Sequence, residues 1–339
     1  VLWSLVTAPW SINPQLSVET AWERGKLVII SLVVVNALRT RRTVHLYLAF
    51  LIACFAVYPL RGALTNYAGG YTVFGRAIWN HIYANPNDLA AYTLLVVGCA
   101  SALVAARRDS AAHRWLLGGV ILACVLLLLL TQSRGAFLGA AVGFGLALVR
   151  WSFGGGKRFV IVAIAIVCVL ALVPERAWDR FAAMRNLSSA ETVALADPEG
   201  SAAQRLEIQK TALSILGDSP VAGTGLGTYK QANALYAPDL GYRDTHNTYL
   251  NIAAETGLFG LALWVAMLVL VVKRVLREPE FARDGPGRWL LRGLLAFLVA
   301  GVFGTYAAVS LPYLVLAVAW SWAGVSSSEV SAGSTVPSR

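Results

Sequence analysis

From Leu89 to Ala106 the chain runs without a charged residue, and it does so again from Trp115 to Thr131. A helix crossing the hydrocarbon core of a bilayer needs about 20 predominantly apolar residues. Runs of this kind therefore constrain the fold more than any other feature. They recur, and the sequence predicts spans at roughly 25–38, 44–60, 88–106, 115–131, 135–150, 159–173, 247–272, 289–307 and 311–325. With 57% hydrophobic and 14% charged residues over 339 positions, the composition is far from that of a soluble globular domain. The expected fold class is an all-α polytopic membrane protein.

The net charge of +10 could point to nucleic acid, but the basic residues form no single patch with interleaved aromatics, and no nucleic-acid partner is expected. They gather in short connections instead. The segments "RTRR" (39–42), "RRDSAAHR" (107–114), "RWSFGGGKR" (150–158) and "KRVLREPEFARDGPGRWLLR" (273–292) fall in alternate loops, as the positive-inside rule requires of cytoplasmic ones. Loops 61–87, 131–134, 174–246 and 308–310 then face the periplasm or the cell exterior.

The opening "VLWSLVTAPW" has neither a basic n-region nor a cleavage site, and reads as the tail of a further span with earlier spans upstream. Cys54, Cys99, Cys124 and Cys168 all lie within predicted spans and read as packing residues. The expected organisation is transmembrane helices over 1–173, an outer loop over 174–246, transmembrane helices over 247–325 and a disordered cytoplasmic tail over 326–339. Within the outer loop, Leu206, Ile208, Leu213, Ile215 and Leu216 recur near helical spacing and predict an amphipathic helix on the outer membrane face. "VAGTGLGTY" places glycines at 223, 225 and 227. Without a βα pattern before it or a Lys-Ser/Thr after it, this is a tight turn rather than a nucleotide-binding loop.

The topology puts Arg61, Arg76, His81, Arg134, Arg205 and His246 on the outer side. An arginine near the membrane is costly and needs a partner or a role. Alone, Arg134 could be a snorkelling anchor in its short hairpin and Arg205 an exposed charge. At the head of "DTHNTYLNIAAETGLFG" (244–260), Asp244 or Thr245 can cap a helix. His246 would then stand in the first turn, where the helix dipole disfavours imidazolium and leaves the neutral base that proton abstraction requires. On a continuous helix His246, Leu250, Ala253, Gly257, Gly260 and Trp264 share one face, with Glu255 opposite and suited to a buried hydrogen bond or ion pair.

"HNTYLNIAAETGLFG" (246–260) resembles the His-Asn and Gly-x-x-Gly signature of bacterial O-antigen ligases and their polymerase relatives. Three further blocks agree in order. They are "ANPNDLAAY" (84–92), "TQSRGAFLGA" (131–140) and "QRLEIQKTALSILGDSPVAGTGLGTY" (204–229). The resemblance covers about residues 84–272. It implies a C-type glycosyltransferase-like helical bundle in the bacterial inner membrane. Its active site would lie on the periplasmic face, with no metal and no cofactor. The donor would be an undecaprenyl-diphosphate-linked glycan. By matching position, His246 would be the catalytic base, and Arg134 and Arg205 would hold the diphosphate. Asn247, Gly257, Gly260, Asn85 and Asn87 support the motifs. Arg76 joins the diphosphate set only because it lies on the outer side.

The residues are suited to this chemistry. A sugar leaving from diphosphate needs positive charge on the phosphates, which forked guanidinium donors supply. The sequence has no Asp-x-Asp pair to hold a divalent metal in their place. The expected activity is an O-antigen ligase acting on a hydroxyl of lipid A–core. The alternatives are a polymerase joining lipid-linked repeat units, a protein O-glycan ligase, and a transporter or flippase. The last would need charge at mid-membrane depth in several spans.

Overall fold

The computed structural model describes residues 1–106, 111–153, 155, 160, 201–278, 281 and 285–334. Their regular structure is helical: α1 (Leu2–Thr7), α2 (Pro14–Ala37), α3 (Arg41–Phe55), α4 (Arg61–Ala68), α5 (Pro86–Ala106), α6 (Ala111–Thr131), α7 (Arg134–Ser152), α8 (Ser201–Asp218), α9 (Tyr229–Tyr236), α10 (Thr248–Leu276), α11 (Pro286–Ala300) and α12 (Ser310–Ser334). The chain is an all-α, multi-pass membrane protein. By length and composition, Arg41–Ala68, Pro86–Ala106, Ala111–Thr131 and Thr248–Leu276 can each cross a membrane. Of the span expected at 159–173, with Cys168, only residue 160 is among the described residues.

Two compact units divide the chain. One comprises Val1–Gly25, Trp151–Trp264 and Gly301–Ala308, and the other Lys26–Arg150, Val265–Ala300 and Val309–Arg339.

In the second unit α5 is the central helix, with Leu89, Leu94, Leu95 and Ala100 fully buried. Its entry is well specified. Asn85 Oδ1 accepts from the Asn87 amide at 2.8 Å, Pro86 occupies the first helical position and Asp88 falls in the first turn, so capping, fixed φ and dipole agree. α5 packs on α11 through two glycines. A Cβ on Gly98 would sit 2.7 Å from the Gly293 Cα, the close approach that small residues allow between membrane helices. α3 starts at a reciprocal cap between Thr40 and Thr43 and continues into α4 through one π-helical stretch, Ala56–Leu60. Pro59 sits inside that stretch and cannot donate, which accounts for the local change of winding. At the basic end of this unit, Arg41 and Arg274 lie over the rings of Trp322 and Trp320, at 5.4 Å and 4.1 Å. Trp322 Nε1 donates to the buried Glu278 at 2.6 Å.

Two expectations change here. The predicted span 289–307 stops as a helix at Ala300. Residues 301–308 belong to the first unit, where the Gly301 carbonyl accepts from the Thr248 amide at 2.8 Å. The tail predicted to be disordered from 326 is instead helical to Ser334. Its Ser, Ala, Glu and Val residues carry only modest helix penalties and extend a helix already formed.

The first unit is built on α8. Ile208, Ala212 and Ile215 recur at helical spacing and bury against Tyr229, Ala232 and Ala254. Leu206 and Leu213 point away and are exposed. The apolar residues predicted to form one membrane-facing stripe are therefore split between two faces.

Candidate active site

The first unit closes around a break in α10. At Gly257 the backbone turns to φ 70° and ψ 177°, a region open to glycine and strained for other residues. A Cβ there would run into the Val221 backbone. The break exposes backbone groups that a continuous helix would have paired, and the glycine-rich segment pairs them. Leu258 N donates to Pro220 O at 2.7 Å. The carbonyls of Ala254 and Glu255 accept from the Thr224 and Gly225 amides, each at 2.9 Å. On its other side this segment meets residues 11–17. Ile12 N and Ser11 Oγ both donate to Thr224 O, at 3.0 and 2.9 Å. Gly223, Gly225 and Gly227 all have positive φ. The run is a tight turn held from two sides.

Glu255 sits under this turn, buried. Its Oε1 accepts from the Tyr229 amide at 3.2 Å and from Asn251 Nδ2 at 3.4 Å, so the carboxylate of α10 meets the first amide of α9. From α9, Tyr229 OH donates to Ile208 O at 3.0 Å. Burial raises the pKa of this phenol, with Asp244 and Glu255 adding to the effect. Asn233 Nδ2 donates to Gly241 O at 2.7 Å, and Lys230 pairs with Asp244 at 2.9 Å. Helix α9 thereby fixes the loop that leads to His246.

His246 is not in the first turn of α10. Asn247 is the cap, its Oδ1 accepting from the Tyr249 and Leu250 amides at 3.0 and 3.1 Å. The histidine lies one residue outside with φ 48°. This corrects the predicted cap at Asp244 or Thr245, and with it the predicted shared face running from His246 to Trp264, which the turn at Gly257 also interrupts. A left-handed backbone costs an L-residue about 1–2 kcal/mol and persists only where neighbours impose it. Thr245, fully buried, supplies that restraint through Asn247 O at 3.0 Å and Thr305 Oγ1 at 3.0 Å.

The imidazole is half-buried, and its pKa is held below the usual histidine value. Burial is the main cause and the Arg205 guanidinium the next. Asp244 acts in the opposite sense, while Arg243 and Lys230 add to the lowering. The neutral form expected from the sequence is thus favoured chiefly by desolvation and positive neighbours. Arg205 lies at helical spacing from Ile208 and Ala212, which pack on α9, and its charge is felt at His246. A neutral imidazole can take a proton from a hydroxyl, and a guanidinium can hold an anion.

Gly260 stands three residues beyond the break, where a Cβ would collide with the Thr256 side chain. Lys230 acts on the charge of the histidine, and Thr245 and Thr305 hold the loop beside it. The sequence offered Thr245 only as a cap, and Lys230 and Thr305 did not stand out, because each acts through a partner distant along the chain.

The second unit carries Arg76, Asn85, Asn87 and Arg134. Arg134 is the first residue of α7 and is exposed. Arg76 is 7% exposed and turned into protein. Its Nε donates to Thr131 O and its Nη2 to Asn87 Oδ1, both at 2.7 Å.

Residues 118–265 match the family model described as O-antigen ligase. No curated protein matches the chain.

Proposed function

We propose, from the membership of residues 118–265 in the O-antigen ligase family, that this membrane glycosyltransferase moves a glycan from undecaprenyl diphosphate to a hydroxyl of lipid A–core. The observation that carries the proposal is His246, held in a left-handed backbone and half-buried, with the Arg205 charge helping to keep it neutral. In this reading the neutral imidazole takes the proton of the acceptor hydroxyl as its oxygen attacks the anomeric carbon. The bond from that carbon to the diphosphate oxygen breaks, and the electron pair leaves on the polyprenyl diphosphate. One displacement inverts the anomeric configuration. Arg205 and Arg134 bind the diphosphate and offset the charge that grows on it, the work a divalent metal does in other glycosyl transfers. The architecture is of the C-type, in the inner membrane, with the histidine at the periplasmic face.

The polymerase reaction differs only in its acceptor, a second lipid-linked repeat unit, and one experiment separates the two. The purified chain is given a polyprenyl-diphosphate-linked glycan with EDTA present. One sample also contains lipid A–core, and the other contains donor alone. Glycan on lipid A–core is the expected result. Longer lipid-linked chains in the donor-only sample assign the polymerase reaction instead, and no transfer in either overturns the proposal.

A further inference from the structure

Arg76 closes a short turn on the second unit. Residues Val73 to Arg76 form a tight turn in which each end donates to the other, Arg76 N to Val73 O at 3.0 Å and Val73 N to Arg76 O at 3.1 Å. Phe74 and Gly75 at its centre have φ of 53° and 72°, as a type I′ turn requires. The turn aims the Arg76 side chain at the C-terminal end of α6. There Thr131 O is one of the carbonyls that a helix end leaves without an intrahelical partner, and a cation is favoured. Arg76 Nε takes that carbonyl, and Nη2 takes Asn87 Oδ1 in the first turn of α5. Beside it, Ala77 N donates to Leu130 O at 2.9 Å.

Between Thr131 and Arg134 stand only Gln132 and Ser133. Gln132 turns the chain with φ 49°. Ser133 is buried, and its carbonyl opens α7 by accepting from Phe137 N at 3.0 Å. A two-residue turn gripped at one end has little freedom at the other. We infer that Arg76 is a positioning residue: by clamping the end of α6 to the start of α5 through Thr131 and Asn87, it sets where Arg134 stands, and it does not itself bind the diphosphate. The inference rests on the role proposed above for Arg134. It explains why the "ANPND" and "TQSRGA" blocks occur together, since one guanidinium joins them.

The test is a double-mutant cycle on the purified full-length chain with polyprenyl-diphosphate-linked glycan as donor, reading donor KM and kcat separately. Misplacing a binding group by about 1 Å can cost on the order of 10²-fold, so Arg76→Gln should lower kcat/KM for the donor by roughly that factor. In the Arg134→Gln background the same substitution should add less than about twofold, because groups that act through one another are not additive. Asn87→Ala removes one clamp acceptor and leaves Arg76 in place. It should show a smaller loss that also disappears in the Arg134→Gln background, and it provides the cycle if Arg76→Gln does not fold. Losses that multiply overturn the inference, because Arg76 would then meet the donor on its own. So do wild-type kinetics in Asn87→Ala or in folded Arg76→Gln. Wild-type donor kinetics in Arg134→Gln would instead remove the diphosphate role of Arg134, and the inference with it.

Discussion

Thr245 and Thr305 share a hydrogen bond, Oγ1 to Oγ1 at 3.0 Å, one residue before the histidine with the left-handed backbone. The pair ties the 301–308 segment to the loop ahead of α10. It is part of what keeps His246 in a conformation it would not adopt alone.

If His246 is the general base, His246→Ala lowers kcat by about 10²–10⁴ while the protein remains folded in the membrane. Near-normal turnover in well-folded, membrane-inserted protein would sink the mechanism. The pH profile gives an independent check. A base with a lowered pKa stays neutral further into acid, so the acid limb of kcat/KM should lie below the ordinary histidine value of about 6.5.

The charges around His246 should move that limb in opposite directions. Asp244 raises the histidine pKa and Lys230 lowers it. Asp244→Asn should therefore shift the limb to lower pH, and Lys230→Gln should shift it upward. Both groups are substantially solvent-exposed, so loss of their ion pair should change stability by less than about 1 kcal/mol. A limb that ignores both substitutions would argue that another group titrates.

Glu255 is expected to matter through its oxygen rather than its charge. Glu255→Gln keeps an acceptor for the Tyr229 amide and should cost little. Glu255→Ala leaves buried amides without a partner, at about 1–3 kcal/mol for each, and loosens α9. Thermal unfolding of the two variants in the same detergent distinguishes these roles. Equal destabilisation would contradict the argument.

Gly257→Ala should be far more damaging than Gly118→Ala. At Gly257 a Cβ meets the Val221 backbone, whereas at Gly118 nothing lies within 4 Å. The exposed helical site gains about 0.5–1 kcal/mol from the better helix former. Folded yield and melting temperature of the pair measure the contrast.

How far such features could be read from the sequence follows from the range of the forces involved. A span needs only length and apolarity, so α5, α6 and α10 were legible. Glycines at 223, 225 and 227 in the absence of a strand signalled a tight turn, which the backbone has. The break at Gly257 was not visible, because a lone glycine in an apolar run is ordinary and its partners, Pro220 and Val221, sit far back in the chain. The cap was misplaced because Asp244, Thr245 and Asn247 are all good capping residues, and only the tertiary bonds of Thr245 choose among them. Arg76 was found for its side of the membrane. Its partners, a helix-end carbonyl and an Asn side chain, leave no pattern in its own neighbourhood.

Helices α5 and α6 have equal length, 21 residues each, and Arg76 bridges the start of one to the end of the other. The hairpin therefore behaves as a gauge. Inserting one residue into either helix would shift its end by 1.5 Å and turn it by about 100°, taking Asn87 or Thr131 off the guanidinium. Changes of length within either helix would have to be matched in the other for Arg134 to keep its place.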